Sequence, residues 1–333
     1  MLELDAIADL EPALREEGFF GRDDAVARVY LGYPSGPPDP CPLPAVAVSV
    51  EPASAPPPAP GGYELGEWTR TWTDAGYAAA IEAVRAAIRE GDVYQANLVQ
   101  HLSAPFAGDP HGLAAALAPL GPLEPRALAG DGWAIVSASP ELFLSRRGRR
   151  VRTCPIKGTR PAGVAIEDAK DAAEHVMIVD LERNDLSRVC EVGSIRWPEL
   201  LAERAMAGVT HLVSTVEGTL REDATLTDML EATFPGGSVT GAPKLAALDL
   251  IARLEPVGRG ASMGALGTIR PNGDLDLALT IRTFAVAEER IHLWVGGGIV
   301  WDSDPAAEIE ESWVKARPLL AAIGAPLPEA VAA

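Results

Sequence analysis

The sequence predicts an α+β fold, on three observations. Strand-like runs such as Ala25–Leu31 and Val93–Leu102 lie far apart in the chain, so their partners are distant. Between them lie segments with helical periodicity, such as Tyr77, Ile81, Val84 and Ile88 on one face. Asn272-Gly273 sits between two alternating runs, the signature of an antiparallel hairpin. Long-range strands mixed with helices read as α+β.

Each element follows from local sequence. Residues 1–33 give a short helix and then the strand Ala25–Leu31. Residues 34–62 hold eleven prolines, including Pro56-Pro57-Pro58. Proline removes a donor and fixes φ, so an extended connector is expected, with Ala45–Val50 as its one strand-like piece. Composition turns ordinary after Gly62, where the main domain begins. Asp74 is expected to cap the helix carrying Tyr77 to Ile88, and Gly91 to end it. Val93–Leu102, Trp133–Ala138 and Leu142–Ser145 read as strands, the last two around a Ser-Pro-Glu turn. Ala169–Val189, Leu226–Thr233 and Pro243–Leu254 read as helices, the second running into a Gly-rich loop. The second strand of the hairpin is expected to reach Arg282 and beyond. Ile291–Val295 is a further strand, ending in Gly296-Gly297-Gly298. Asp304-Pro305 opens the last helix, with Asp as N-cap and Pro at the first helical position. No internal repeat is visible.

The 333 residues include 28 Lys and Arg against 47 Asp and Glu, a net charge of −19. Such a surface repels phosphate backbones and anionic lipids, which argues against nucleic acid and membrane as partners. No run of ~20 apolar residues is present to span a bilayer. The start, MLELDAIADLEPALREEG, is acidic and periodic, unlike a signal peptide. Cys41, Cys154 and Cys190 are odd in number and widely spaced, so neither a disulfide framework nor a zinc site is expected. The reducing cytoplasm is the expected compartment.

Several residues have chemical potential. Glu308 and Glu311 share a face of the last helix, and Lys315 lies on the same stripe. The pattern reads either as a solvated ion-paired face or as a hard-cation site of the Mg²⁺ kind, with Glu174 on another helix as a further ligand. Lys157, between apolar residues and Gly158-Thr159, is either a surface lysine or a desolvated nucleophile. Glu141 is a loop carboxylate or an acid/base group. The Gly-rich loop Phe234–Lys244 enters a helix and suits an anion, though it is not a Walker A loop. Gly296–Gly298 is a tight turn or a place of close ligand approach. Arg282 could hold a carboxylate, and His211 is a structural histidine or a proton donor. Together these fit a Mg²⁺-assisted enzyme acting on a small polyanion.

The motifs GDVYQANLVQ (91–100), SASPELFL (137–144), PIKGTRP (155–161), EHVMIVDLERNDLSRVC (174–190), VTHLVSTVEG (209–218), FPGGSVTGAPK (234–244), ALTIRTF (278–284) and GGGIVWDSDPAAEIEESWVKA (296–316) carry a resemblance. In this order they resemble the chorismate-utilising enzymes, and within them the aminodeoxychorismate synthase component I branch. The resemblance implies two stacked antiparallel sheets flanked by helices, with the site between them. It implies a chorismate-binding catalytic domain over 75–325 behind a shortened N-terminal segment, 1–74. Chorismate is the implied substrate and Mg²⁺ the implied cofactor, held by Glu174, Glu308 and Glu311. Arg282, Lys315, Gly297 and Gly298 correspond to groups at the enolpyruvyl carboxylate. Gly158, Thr159, Ser238 and Gly241 correspond to the ring-side wall, and His211 to a histidine near the departing 4-hydroxyl.

Three positions discriminate between branches. Lys157 stands where anthranilate synthases have alanine, and the resemblance makes it a nucleophile for ring C2, with Glu141 as its acid/base partner. Gln95 stands where isochorismate synthases carry a water-activating lysine, which disfavours water as the incoming group. Ammonia is the implied nucleophile, supplied by a separate glutaminase subunit. Ser262 departs from the tyrosine usual in the family. The stretch from Thr159 to Glu174 is shorter than usual, and no N-terminal tryptophan-binding motif is apparent. The alternatives are anthranilate synthase component I, a 2-amino-2-deoxyisochorismate synthase, or a chorismate-binding protein with little catalysis.

Overall fold

A computed structural model describes residues 1–34, 36–161, 169–206 and 209–326. Its strands form a 10-stranded and an 8-stranded sheet. The strand pairs among the described residues are antiparallel. The larger sheet runs Leu2–Leu4, Val46–Pro52, Ala25–Leu31, Ala265–Ile269, Leu275–Leu279, Leu142–Arg147, Arg150–Cys154, Val209–Thr219 and Ile156–Pro161. Arg196–Met206 also pairs with Val209–Thr219. The smaller sheet is centred on Gln95–Gly108, Arg290–Ile299, Thr283–Ala287 and Trp133–Ser137.

Alternation along the strands places the core. Ile135, Ala285 and Trp294 of the smaller sheet share one apolar cluster with Leu31, Leu144, Leu266 and Leu277 of the larger. The neighbouring residues Val136, Phe284, Leu293 and Val295 join a second cluster with Leu113, Trp313 and Leu319, on the helices Pro110–Leu117 and Pro305–Ala322. Side chains of opposite parity thus bury opposite faces of one sheet. A third cluster packs the helices Asp74–Glu90 and Lys244–Leu254 on the start of Gln95–Gly108. This is the expected α+β arrangement of antiparallel sheets with helices.

Two of the chain's crossings between the sheets run side by side. One crossing joins Trp133–Ser137 to Leu142–Arg147, and the other joins Leu275–Leu279 to Thr283–Ala287. Backbone bonds tie them together: Leu279 N donates to Glu141 O at 3.0 Å, and Ala138 N to Arg282 O at 2.9 Å. Glu141 and Arg282 therefore sit at adjacent crossings. The expectation that the hairpin strand continues through Arg282 is corrected here. It stops at Leu279, and Arg282 takes φ +51° to turn the chain into the other sheet.

Other expectations are also revised. Thr73, not Asp74, caps the second helix, its side chain accepting from Gly76 N at 3.1 Å. The strand expected over Val93–Leu102 spans Gln95–Gly108. Gly296–Gly298 do not turn: they stay in strand, opposite Val99, Leu98 and Asn97. The Pro-rich connector contributes a full strand, Val46–Pro52, paired with Ala25–Leu31. Cys41, Cys154 and Cys190 are free thiols. No helix of the described residues is long and apolar enough to cross a membrane.

Candidate active site

The predicted residues converge where the two sheets and two helices meet. Lys157, on the strand Ile156–Pro161, donates from Nζ to Glu174 Oε1 at 2.7 Å, and both side chains are 14% exposed. The same Glu174 oxygen accepts Gln95 Nε2 at 3.1 Å. Gln95 is fully buried, and its Oε1 has no partner among the described residues. A buried acceptor left unsatisfied costs about 1–3 kcal/mol, so Gln95 Oε1 is chemically suited to accept a hydrogen bond from a bound group.

Of the two sequence readings of Lys157, a surface lysine or a desolvated nucleophile, its burial removes the first. Desolvation alone would favour the free amine. Burial does pull its pKa down, but Glu174, Glu141 and Glu311 outweigh that, and the net shift is upward. The ion pair with Glu174 thus favours the ammonium form of Lys157.

Glu141 is 4% exposed. Its Oε1 accepts Ser238 Oγ at 2.9 Å and Ile156 N at 3.4 Å. Burial raises its pKa, against the lowering effect of Ser238, Lys157, Ile156 and Arg282. Such a carboxyl keeps its proton more readily than an exposed one, as a general acid needs. His211, on Val209–Thr219, has Nδ1 3.1 Å from Gly158 O. That contact assigns the proton to Nδ1, and burial lowers the ring's pKa, so the imidazole is neutral near pH 7. Gly158 itself takes φ +60° at a register shift of its strand. Thr159 pairs with His211 along the backbone, while its side chain and residues 162–168 lie outside the described part.

Two glycines open the floor of the site. A Cβ on Gly297 would lie 3.3 Å from Glu311 Oε1, 3.4 Å from Lys315 Nζ and 3.6 Å from Glu308 Oε2. A Cβ on Gly298 would lie 2.8 Å from Glu174 Oε1 and closer still to Gln95 Nε2. The three carboxylates thus gather around consecutive residues of one strand. Gly241, at φ +133°, has its Cβ direction blocked by Gln95 O, which seats the Gly-rich loop against the same strand. Lys315 Nζ donates to Gly296 O and to Glu311 Oε1, each at 2.7 Å, so the i,i+4 ion pair read from the sequence does form. Glu310, off the stripe, pairs with Arg317 instead.

The Arg282 side chain makes no hydrogen bond or ion pair among the described residues; burial lowers its pKa, against the raising effect of nearby Glu141. A partly buried guanidinium whose donors are not committed to a carboxylate is chemically suited to hold one. The carboxylate set suits a hard cation in chemistry, since all the donors are oxygens. Among the described residues, however, no three His, Cys, Asp or Glu side chains are already gathered into a cage. Glu174 is engaged by Lys157, and Glu311 by Lys315. A metal would have to displace these ammonium groups.

Sequence reasoning missed three contributors. His175 is fully buried with neither ring nitrogen partnered, and burial lowers its pKa to about 4. Its only signal was adjacency to Glu174. Ser303 donates to Glu308 Oε1 at 2.6 Å and fixes that carboxylate. Glu182, two helical turns beyond Glu174, accepts Thr153 Oγ1 at 2.9 Å and is pushed up to about 8, mainly by burial.

Comparison with known proteins places this geometry in context. A family model described as chorismate binding enzyme matches residues 34–321. Anthranilate synthase component 1 of Thermus thermophilus is 44% identical over 283 residues, 80% of this chain and 61% of that protein. Aminodeoxychorismate synthase component 1 of Bacillus subtilis is 37% identical, over 75% of this chain and 56% of its own length. The chain thus spans about three fifths or less of these relatives. The crystal structure of anthranilate synthase component I from Streptococcus pneumoniae superposes with a TM-score of 0.75 at 28% identity, covering 88% of this chain and 80% of that one. The menaquinone-specific isochorismate synthase of Escherichia coli shares the fold at TM-score 0.76 and 18% identity, covering 97% and 84%.

Proposed function

This chain belongs to the chorismate-binding enzyme family, and we propose that it aminates chorismate at ring C4. The product is 4-amino-4-deoxychorismate, and the relative that supports this reading is the aminodeoxychorismate synthase component of Bacillus subtilis. The observation that carries it is Lys157 Nζ, seated on Glu174 in a cluster that also holds Glu141 and Gln95.

Chorismate is a dianion, and the chain is acidic, so binding needs local cations. Arg282 and Lys315 supply them, with the Gly297-Gly298 backbone, at one carboxylate. We assign Mg²⁺ to Glu174, Glu308 and Glu311. When bound, it supplies charge neutralisation for the other carboxylate. Lys157, once released from Glu174 and deprotonated, adds its amine to C2. Both ring double bonds shift, C1=C2 to C1=C6 and C5=C6 to C4=C5, and the 4-hydroxyl leaves as water with the proton of Glu141. Ammonia then adds at C4, both double bonds return, and Lys157 departs from C2 with its electron pair. The excess proton on the new amine returns to Glu141. The sum is chorismate plus ammonia giving the aminated product plus water. Gln95, a neutral amide, offers no base to activate water. A separate glutaminase subunit is the proposed ammonia source.

A second reading, anthranilate synthase, is favoured by the 44% identity to the Thermus thermophilus enzyme. Trapping separates the two. The chain is mixed with chorismate and Mg²⁺ without ammonia, quenched, digested and analysed by mass spectrometry. An adduct on Lys157 equal to chorismate less water is expected. Unmodified Lys157 in a preparation that forms anthranilate once ammonium is added would favour the second reading.

A further inference from the structure

The Pro-rich segment grips a turn that lies directly behind the site. Gly258 N donates to Pro38 O at 2.9 Å, and Tyr30 Oη donates to Gly260 O at 3.0 Å. The Asp39 carboxylate accepts the backbone N–H groups of Cys41 and Gly260. Gly260 takes φ +46°, and a Cβ there would lie 2.8 Å from both Asp39 oxygens, so only glycine lets the turn close on this carboxylate.

The turn carries Arg259, which is 1% exposed. Its Nε and Nη2 hold Glu255 at 2.9 and 2.8 Å. Nη1 donates to Val239 O at 3.0 Å, and Nη2 to Asn97 O at 2.6 Å. The Tyr33 ring lies 4.7 Å from the guanidinium carbon, and Tyr33 Oη donates to Thr240 Oγ1 at 3.3 Å. Glu255 Oε1 also accepts Val99 N at 3.0 Å.

Two of the Arg259 contacts, to Val239 and Asn97, end beside residues of the site. Val239 follows Ser238, the donor to Glu141. Asn97 pairs with Gly298 and lies two residues from Gln95. A planar fork with five donors reaches these acceptors in fixed directions, which a lysine cannot do. A buried ion pair is weak as a source of stability, so its worth here is geometric.

We propose that Arg259, clamped by Tyr30, Tyr33, Pro38 and Asp39, is a positioning residue that sets Ser238 against Glu141 and the Gln95–Asn97 strand end against Gly298. Its functional meaning rests on the reading of Glu141 as the acid of the reaction, while the contacts stand apart from that reading.

The test is the titration of Glu141 in the substrate-free full chain, followed by carboxyl ¹³C NMR and identified by its loss in Glu141→Gln. Glu141 is faced by Ser238, the Ile156 N–H, Lys157, Arg282 and Glu182. Ser238 stabilises the carboxylate, so Ser238→Ala is expected to move the midpoint up by about one pH unit. Arg259→Lys is expected to give the same shift, and the double variant no more than either alone. Tyr33→Phe removes one hydrogen bond and should give a smaller shift of the same sign, which carries the test if Arg259→Lys does not fold. In turnover, Arg259→Lys should lower kcat about 10- to 100-fold with KM within about threefold. A wild-type midpoint in both Arg259→Lys and Tyr33→Phe, or a double variant whose shift is the sum of the singles, overturns the proposal. A wild-type chain that aminates nothing would sink the reaction assignment and leave this result readable.

Discussion

Replacing Gly298 by alanine should damage catalysis far more than folding. The added Cβ would lie 2.9 Å from Gln95 Cδ and 2.8 Å from Glu174 Oε1, where ordinary contact begins at 3.4 Å. Both groups must retreat by about half an ångström or more, and Gln95 is fully buried with no open direction. The retreat breaks the 3.1 Å bond between them and shifts Glu174 under Lys157. Because the colliding atoms are side-chain ends, the fold should lose only about 1–3 kcal/mol. Misplacement approaching 1 Å at reacting groups costs up to about 100-fold in rate. Gly297→Ala is the control. Its Cβ meets the nearest atoms at 3.3 Å and 3.4 Å, so loss should stay within about fivefold. The assay is chorismate consumption at saturating Mg²⁺ and ammonium, with thermal melts alongside. A Gly298→Ala variant keeping more than half the wild-type rate, or a Gly297→Ala variant equally impaired, refutes the argument.

Further predictions concern charge. Arg282→Met should leave the melting temperature nearly unchanged, because its guanidinium forms no ion pair among the described residues, and should raise KM for chorismate about 10- to 100-fold; an unchanged KM would remove Arg282 from the substrate site. Glu182 has a folded pKa raised from 4.5 to about 8, mainly by burial and then by Glu141 and Asp185 against Thr153 and Lys244. Its contribution is therefore full below pH 4.5 and is lost at about 1.4 kcal/mol per pH unit until about pH 8. Urea unfolding of Glu182→Gln against wild type should show the variant gaining relative stability from pH 5 to 8, and a constant difference would mean that Glu182 is not held neutral. Chelation should weaken chorismate binding at least about tenfold by equilibrium dialysis, restored by Mg²⁺, because an acidic site without its cation repels a dianion; equal affinity in the metal-free chain would discard the Mg²⁺ assignment.

The elements visible in the sequence were those with local signatures. Asn272-Gly273 specifies its own turn, and the Asp304-Pro305 start is a local rule obeyed, Asp304 accepting from Ala307 N. The strand Arg196–Met206 escaped notice because Pro198 and the charged run around Glu203-Arg204 hide any alternation, and it is an edge strand with irregular register. Arg282 read as mid-strand because nothing local announces a positive φ. The role of the Pro-rich segment was hidden for a different reason. Tyr33 meets Thr240 across 207 residues, a contact no local pattern encodes. In the site, Glu308, Glu311 and Lys315 followed from helical spacing, whereas the meeting of Lys157 with Glu174 depends on two elements brought together by the fold. The sequence left Lys157 as either a surface or a desolvated lysine; it is buried, and the effect of burial on the amine is reversed by neighbours that composition cannot place.

The most direct test of the account is the identity of the product. The purified chain is incubated with chorismate, Mg²⁺ and ammonium at alkaline pH, with and without an aminodeoxychorismate lyase, and products are identified by mass and retention. p-Aminobenzoate formed only when the lyase is present is the predicted result, and it should vanish in Lys157→Ala. Anthranilate formed without the lyase would contradict amination at C4 and the role given to Lys157.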